Sequence, residues 1–175
     1  CAVELADGCH LPSTCLERWY GERQRIQAWI EEHCWSEAQQ AYLFYPGADG
    51  LDASLALAVR FGYPSVERLR STLEAVEHTL GRNGFHYRYS GADHEEGCFL
   101  ACTFWLIEAW ALLDQPERAQ HAFERAVSGL HRGVGIYAEM VDPDHGHYLG
   151  NLPQGLTHLA LMRAARAIGG FRPER

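Results

Sequence analysis

Residues Cys98–Leu113 read CFLACTFWLIEAWALL, and no other stretch constrains the fold as strongly. Apolar side chains lie on every side of a 3.6-residue period, broken only by Thr103 and Glu108. A helix of that kind cannot rest on a surface with one face in water, so it must be packed on more than one side. The periodicity predicts a helix over about 96–113, shorter than the ~20 apolar residues that a membrane span needs.

Working outward, Pro116 takes a first-turn position of the amphipathic segment PERAQHAFERAVSGL, and a last helix is expected over about 153–168. Upstream, Val66, Leu69, Leu73, Val76 and Leu80 form one stripe of a helix over about 66–80, with Ser65 as its cap and Gly81 as its end. Asp52 can cap the short apolar helix in LDASLALAVRFG. Thr14 and Glu17 form a T-x-x-E capping box for a helix over about 15–33, in which Gly21 is a weak point. Between these helices, WSEAQQAYLFYPGADG reads as a short extended or hairpin-like stretch with a turn, and FHYRYSG alternates like a short strand. Cys1, Ala2, Leu5 and Ala6 read as the last turns of a helix stopped at Gly8, so the chain is expected to be a C-terminal piece of something longer. Long loop, buried helix, short turn, amphipathic helix: this order predicts an all-α protein with an inner ring of helices covered by an outer ring. No constant short period is present, which speaks against tetratricopeptide-type arrays of about 34 residues.

Hydrophobic residues make up 47% and charged residues 22% of the 175, the balance of one globular domain spanning 1–175. A chain of this size buries roughly 70% of its unfolded surface. The net charge is -8, and the 15 basic residues are all arginines scattered along the chain. No basic stripe can form, which argues against nucleic acid as a partner, and no apolar run argues for a membrane. Cys1, Cys9, Cys15, Cys34, Cys98 and Cys102 fit no CxxC pattern, and a chain this large needs no disulfide framework. They read as small buried hydrophobes in a reducing compartment, with the cytoplasm as the expected location.

Chemistry concentrates in two loop-to-helix junctions. From Gly135 to His158 the chain reads GIYAEMVDPDHGHYLGNLPQGLTH, where Glu139 follows Ile136, Tyr137 and Ala138 and precedes Met140 and Val141. An acid in such company suits general acid–base work, because an apolar setting tunes its proton affinity. It could equally cap the last helix or pair with an arginine. Arg88 stands between Tyr87 and Tyr89. Rings that stack on the apolar faces of a pyranose, beside a guanidinium that donates to its hydroxyls, form a sugar-binding arrangement; a solvated strand arginine is the plainer reading. Glu95 and Glu96 fall at the start of the apolar helix, where the helix dipole favours acids, yet their place after Asp93 and His94 leaves a ligand role open. Asp142, Asp144, His145 and His147 resemble metal ligands, but Gly146 occupies the fifth position of an EF-hand pattern and D-P-D-H-G is a good turn. No metal is therefore expected. With no GxSxG, phosphate-binding loop or dinucleotide fingerprint, no cofactor is expected either.

Taken together, EEGCFLACTFWLIEAWAL and IYAEMVDPDHGHYLGNLPQGLTHLALMRAA, with LERW, GLDASLAL and YRYSG upstream, resemble the C-terminal part of bacterial glycoside hydrolase family 15 proteins, the glucoamylase, glucodextranase and trehalase group. The resemblance covers almost the whole chain. It implies an (α/α)6 barrel with the active site at one mouth, here a partial toroid with long loops at that mouth. It also implies inverting hydrolysis of α-linked glucosides, from disaccharides to oligosaccharides. Carried over, the general base is Glu139, while Arg88 and Glu96 bind substrate. The family's general acid lies upstream of the first helix in this sequence, so the chain by itself is expected to be inactive. Met140 stands where the family has a polar residue after the base.

Two other readings compete. One is a non-catalytic carbohydrate-binding or self-associating helical protein, completing the toroid through its exposed half-barrel faces. The other is an isomerase of the same architecture working through His86, His94 and His158.

Overall fold

The computed structural model describes residues 2–8, 10–130 and 134–170. Helices dominate: α1 (Ala2–Asp7), α2 (Leu16–His33), α3 (Leu57–Arg60, entered through a 3-10 turn at Ala53–Ala56), α4 (Val66–Leu80), α5 (Leu100–Leu112), α6 (Pro116–Gly129) and α7 (Gly155–Ile168). They alternate between two layers. The outer layer is α2, α4 and α6; the inner one is the 53–60 segment, α5 and α7. This is part of an (α/α)6-type toroid: the layered pattern gave its two layers, and the family resemblance implied the toroid.

α5 is the centre of the core. Leu100, Phe104, Leu106, Ile107 and Trp110 are all buried, and the helix packs on α7, α6, α3 and the 53–56 turn. Its all-round apolar sequence reflects neighbours on every side. α4 presents Leu69, Leu73, Val76 and Leu80 inward, whereas Val66 of the same stripe stays exposed. The buried Trp110 ties three helices: its Nε1 donates to Glu77 Oε1 at 2.8 Å, and Arg118 of α6 lies 3.6 Å over its ring while bonding Glu77.

Connections differ sharply by end. Inner-to-outer turns are short, at 61–65 and 113–115, whereas outer-to-inner connectors are long, at 34–52, 81–99 and 130–154. Each long connector folds back on itself. β1 (Trp35–Ser36) pairs with β2 (Ala41–Tyr42), and β3 (Gly81–Arg82) with β4 (Phe85–His86). β5 (Cys98–Phe99) pairs with β6 (Met140–Val141), which pairs with β7 (Tyr148–Leu149), all antiparallel. The long connectors therefore all lead from an outer helix to an inner one, at one end of the two layers.

Several local expectations change. The apolar helix begins at Leu100, since Cys98 and Phe99 join the ladder with Val141 and Met140; Glu95 and Glu96 therefore precede the strand instead of opening the helix. The capping box does not form: α2 starts after Cys15, with no side chain capping it, and runs unbroken through Gly21. Ser65 precedes α4 without capping it, because its hydroxyl donates to Glu31 at 2.6 Å. Asp52 does cap, accepting from Ser54 N at 2.7 Å. Cys98 and Cys102 are buried free thiols as expected, but Cys15 is exposed and Cys34 half-buried. Cys1 and Cys9 lie outside the described residues. Among the described residues no helix is long and apolar enough to cross a membrane.

Candidate active site

Backbone hydrogen bonds knit the three long connectors together. The 51–53 segment runs beside 88–90, with Ala53 N donating to Arg88 O at 2.9 Å and Ser90 N to Leu51 O at 3.0 Å. β5 then joins this pair to the 136–154 connector through β6. Gly97, just before β5, makes the approach close enough that a Cβ there would sit 2.7 Å from Val141 O.

Glu139 is held from both sides by its backbone. Leu100 N, at the start of the buried helix, donates to Glu139 O at 3.0 Å, and Glu139 N donates to Asn151 O at 2.9 Å. The preceding residues are pinned to α7: Thr157 Oγ1 donates to Ala138 O at 2.9 Å, and Gln154 N to Tyr137 O at 3.0 Å. The half-buried side chain meets Asn151 again, its Oε2 accepting from the Asn151 backbone N–H at 3.1 Å and from Nδ2 at 2.9 Å. Among the described residues no donor reaches Oε1, and no arginine pairs with this carboxylate. Among the described residues Glu139 thus neither caps a helix nor forms an ion pair.

Arg88 and Glu96 meet each other. Arg88 Nε and Nη2 donate to Glu96 Oε1 and Oε2, both at 3.1 Å, a parallel two-point pair. The guanidinium lies 5.2 Å from the Tyr89 ring centroid and 5.7 Å from that of Phe99. Tyr89 donates to Glu95 Oε2 at 3.1 Å. Phe44 and Tyr45, on the first long connector, are 51% and 58% exposed; Phe44 stacks parallel to Tyr89 at 6.2 Å between centroids, and Tyr45 lies tilted against Phe44 at 5.5 Å. Sequence reasoning missed these two rings. Their only signal was the YLFYPG cluster, read as a turn.

The remaining sequence candidates are engaged locally. Asp142 Oδ1 accepts from Asp144 N at 2.9 Å and His145 N at 3.1 Å, and its Oδ2 lies 2.9 Å from His145 Nδ1. The aspartate closes the β6–β7 turn. Asp144 pairs with Arg82 across the connector at 3.0 Å. His86 is buried against Thr103, exposed His94 neighbours Asp93, and His158 accepts from Tyr137 N at 3.3 Å. A groove of about 1160 Å³, lined by Arg82, His86, Arg118, His121 and Arg125, opens between α4, α6 and the β3–β4 turn, and Glu139 is not among its lining residues.

A double layer of alternating helices with all long connectors at one mouth is the architecture of (α/α)-toroid glycosidases. Solved glycosidase chains superpose on it: a wild-type form with a TM-score of 0.76 over 90% of this chain and 46% of that one, at 18% identity. A variant solved in complex with glucose gives 0.78 over 93% and 47%, at 17% identity. The chain belongs to glycosyl hydrolases family 15, whose model matches residues 1–166. The trehalase of Mycobacterium tuberculosis is 36% identical over 177 residues, covering 94% of this chain and 26% of that protein. The trehalase of Mycolicibacterium smegmatis is 41% identical over 126 residues, covering 67% and 19%. The chain thus spans about a quarter or less of the curated relatives it matches and just under half of the structural neighbours.

Proposed function

We propose that residues 1–175 form the C-terminal half of a catalytic (α/α)6 domain that hydrolyses α-linked glucosides with inversion, and that Glu139 is its general base. The observation that carries this reading is the Glu139 carboxylate, clamped at the mouth with one oxygen held by Asn151 and the other open. In this mechanism the base takes a proton from water as the water oxygen bonds to the anomeric carbon. The glycosidic C–O bond breaks on the opposite face, and its oxygen is protonated by an acid roughly 6.5–9.5 Å from the base. That acid is supplied from outside these residues, so the chain alone leaves glucosides intact. For the domain completed with that acid, trehalose is the first substrate to try, given the trehalases among the relatives; maltose and isomaltose follow.

Arg88 and Glu96 serve the sugar as a unit. The carboxylate takes two of the five guanidinium donors and fixes the plane of the rest, while Tyr89, Phe44 and Tyr45 offer faces for a pyranose. The free buried thiols Cys98 and Cys102 suit the cytoplasm.

α-Glucosyl fluoride tests the base without the acid, because fluoride leaves without being protonated. Water bonds to C1, the C–F pair departs as fluoride, and the proton goes to Glu139. The 175-residue chain is expected to release fluoride and β-glucose, with Glu139→Gln reducing turnover at least 100-fold, the scale of general-base catalysis. Saturable glucose binding with no fluoride release would leave only the carbohydrate-binding reading.

A further inference from the structure

The register of the β6–β7 ladder slips beside Glu139. Met140 faces Leu149, so a regular ladder would set Glu139 opposite Gly150. Instead Glu139 N donates to Asn151 O at 2.9 Å, and Gly150 turns to φ +73°. Two residues of one strand oppose one of the other, with a left-handed glycine first, which is a glycine-led bulge. A bulge re-aims the side chains next to it, and this one swings Asn151 back over its partner. Its backbone N–H and its Nδ2 reach the same Glu139 oxygen, at 3.1 and 2.9 Å. Gly150 is needed for space as well as for φ, since a Cβ would sit 2.7 Å from Glu139 Oε2 and 3.0 Å from Met140 Cε.

Resting on the reading of Glu139 as the base, we propose that Asn151 is its positioning residue: the bulge and the asparagine lock Oε2, so that Oε1 is the oxygen that takes the proton from water. A carboxylate on three freely turning side-chain torsions spends little time aimed at one water. Two donors converging on one oxygen remove that freedom before substrate arrives. The arrangement also suits the residue after the base, because an apolar Met140 donates nothing and leaves the clamp to Asn151 alone.

The test is kinetic and spectroscopic on the 175-residue chain. Asn151→Ala keeps the backbone donor and loses Nδ2, so kcat on α-glucosyl fluoride should fall on the order of tenfold with KM within about twofold. Asn151→Asp is nearly isosteric but replaces the donor with a carboxylate, and it should be worse than alanine. A space-filling asparagine would instead tolerate aspartate better than alanine. The side-chain amide signals of Asn151 should move in Glu139→Gln, a readout independent of turnover. The inference is overturned if both Asn151 variants keep kcat within twofold, or if those amide signals stay in place. Glu139→Gln retaining full fluoride release, or a wild-type chain that releases none, would sink the base assignment itself, and the amide shifts would then decide the clamp on their own.

Discussion

His86 sits on a strand end with its ring against Thr103, only 8% exposed, and the cost of charging it there is what sets its titration. Burial lowers its proton affinity, Glu77 raises it and Arg125 lowers it again, for a balance of about 4 against an ordinary 6.5. Between pH 6.5 and 4 the unfolded chain therefore binds a proton that the folded chain refuses. Stability from this group is complete above about 6.5 and falls as pH drops, by at most about 1.4 kcal/mol per pH unit. His86→Gln should flatten that slope in urea unfolding followed from pH 7 to 4.5; an unchanged slope would assign the acid sensitivity elsewhere. Glu31 acts lower on the scale. Burial pushes its carboxyl up, but hydroxyls of Ser65, Tyr42 and Tyr63 and the Arg68 guanidinium outweigh that and hold it at about 2. Its contribution is present above about 4.5 and is lost as pH falls towards 2. Neither histidine nor glutamate betrays this role in sequence, because each takes it from residues distant along the chain.

At the scale of elements, α5 carries both the core and, among the described residues, the one acid buried within it. Glu108 is 3% exposed and accepts from Arg60 Nε at 3.1 and 3.0 Å and from Arg163 Nε at 3.1 Å, with a further bond from Arg60 Nη2. One carboxylate thereby joins α3, α5 and α7, the inner layer. Removing one side of a buried pair leaves the other charge uncompensated, so Glu108→Ala should cost about 3–5 kcal/mol in denaturant unfolding. Arg163→Ala should cost far less, since Arg163 is the more exposed partner and Arg60 still satisfies the acid. Equal losses in the two variants would refute that ranking. The apolar period of α5 was plain in the sequence, but its first turn was not. Cys98 and Phe99 are as compatible with a strand as with a helix, and only Met140 and Val141, some forty residues on, decide between them.

The whole molecule keeps two uncovered flanks. On α7, Leu156, Leu159 and Met162 are exposed at a spacing that puts them on one face. At the other end Ile26 and Phe61 are exposed and line one groove with Trp19 and Tyr63. Such faces drive association when left open in water. Under the proposed reading these flanks are where the rest of the toroid packs, so the 175-residue chain, with both left open, is expected to pair with a second copy in solution. Sedimentation should give about twice 19.7 kDa, and Leu159→Glu should return the monomer. A monomeric wild type would remove self-association as a property of these faces.

What the sequence determined by itself was the helical register of nearly every long element, the two-layer order and the family, because apolar period, Pro and Gly punctuation and local motifs are written along the chain. It also singled out Glu139, Arg88 and Glu96. Only the tertiary structure decided that Arg88 and Glu96 bind each other, that Phe44 lies on Tyr89, and that a bulge turns Asn151 onto Glu139. Those are contacts between connectors, and connectors have no period to read. Their geometry is set by which helix ends the core brings to the same mouth.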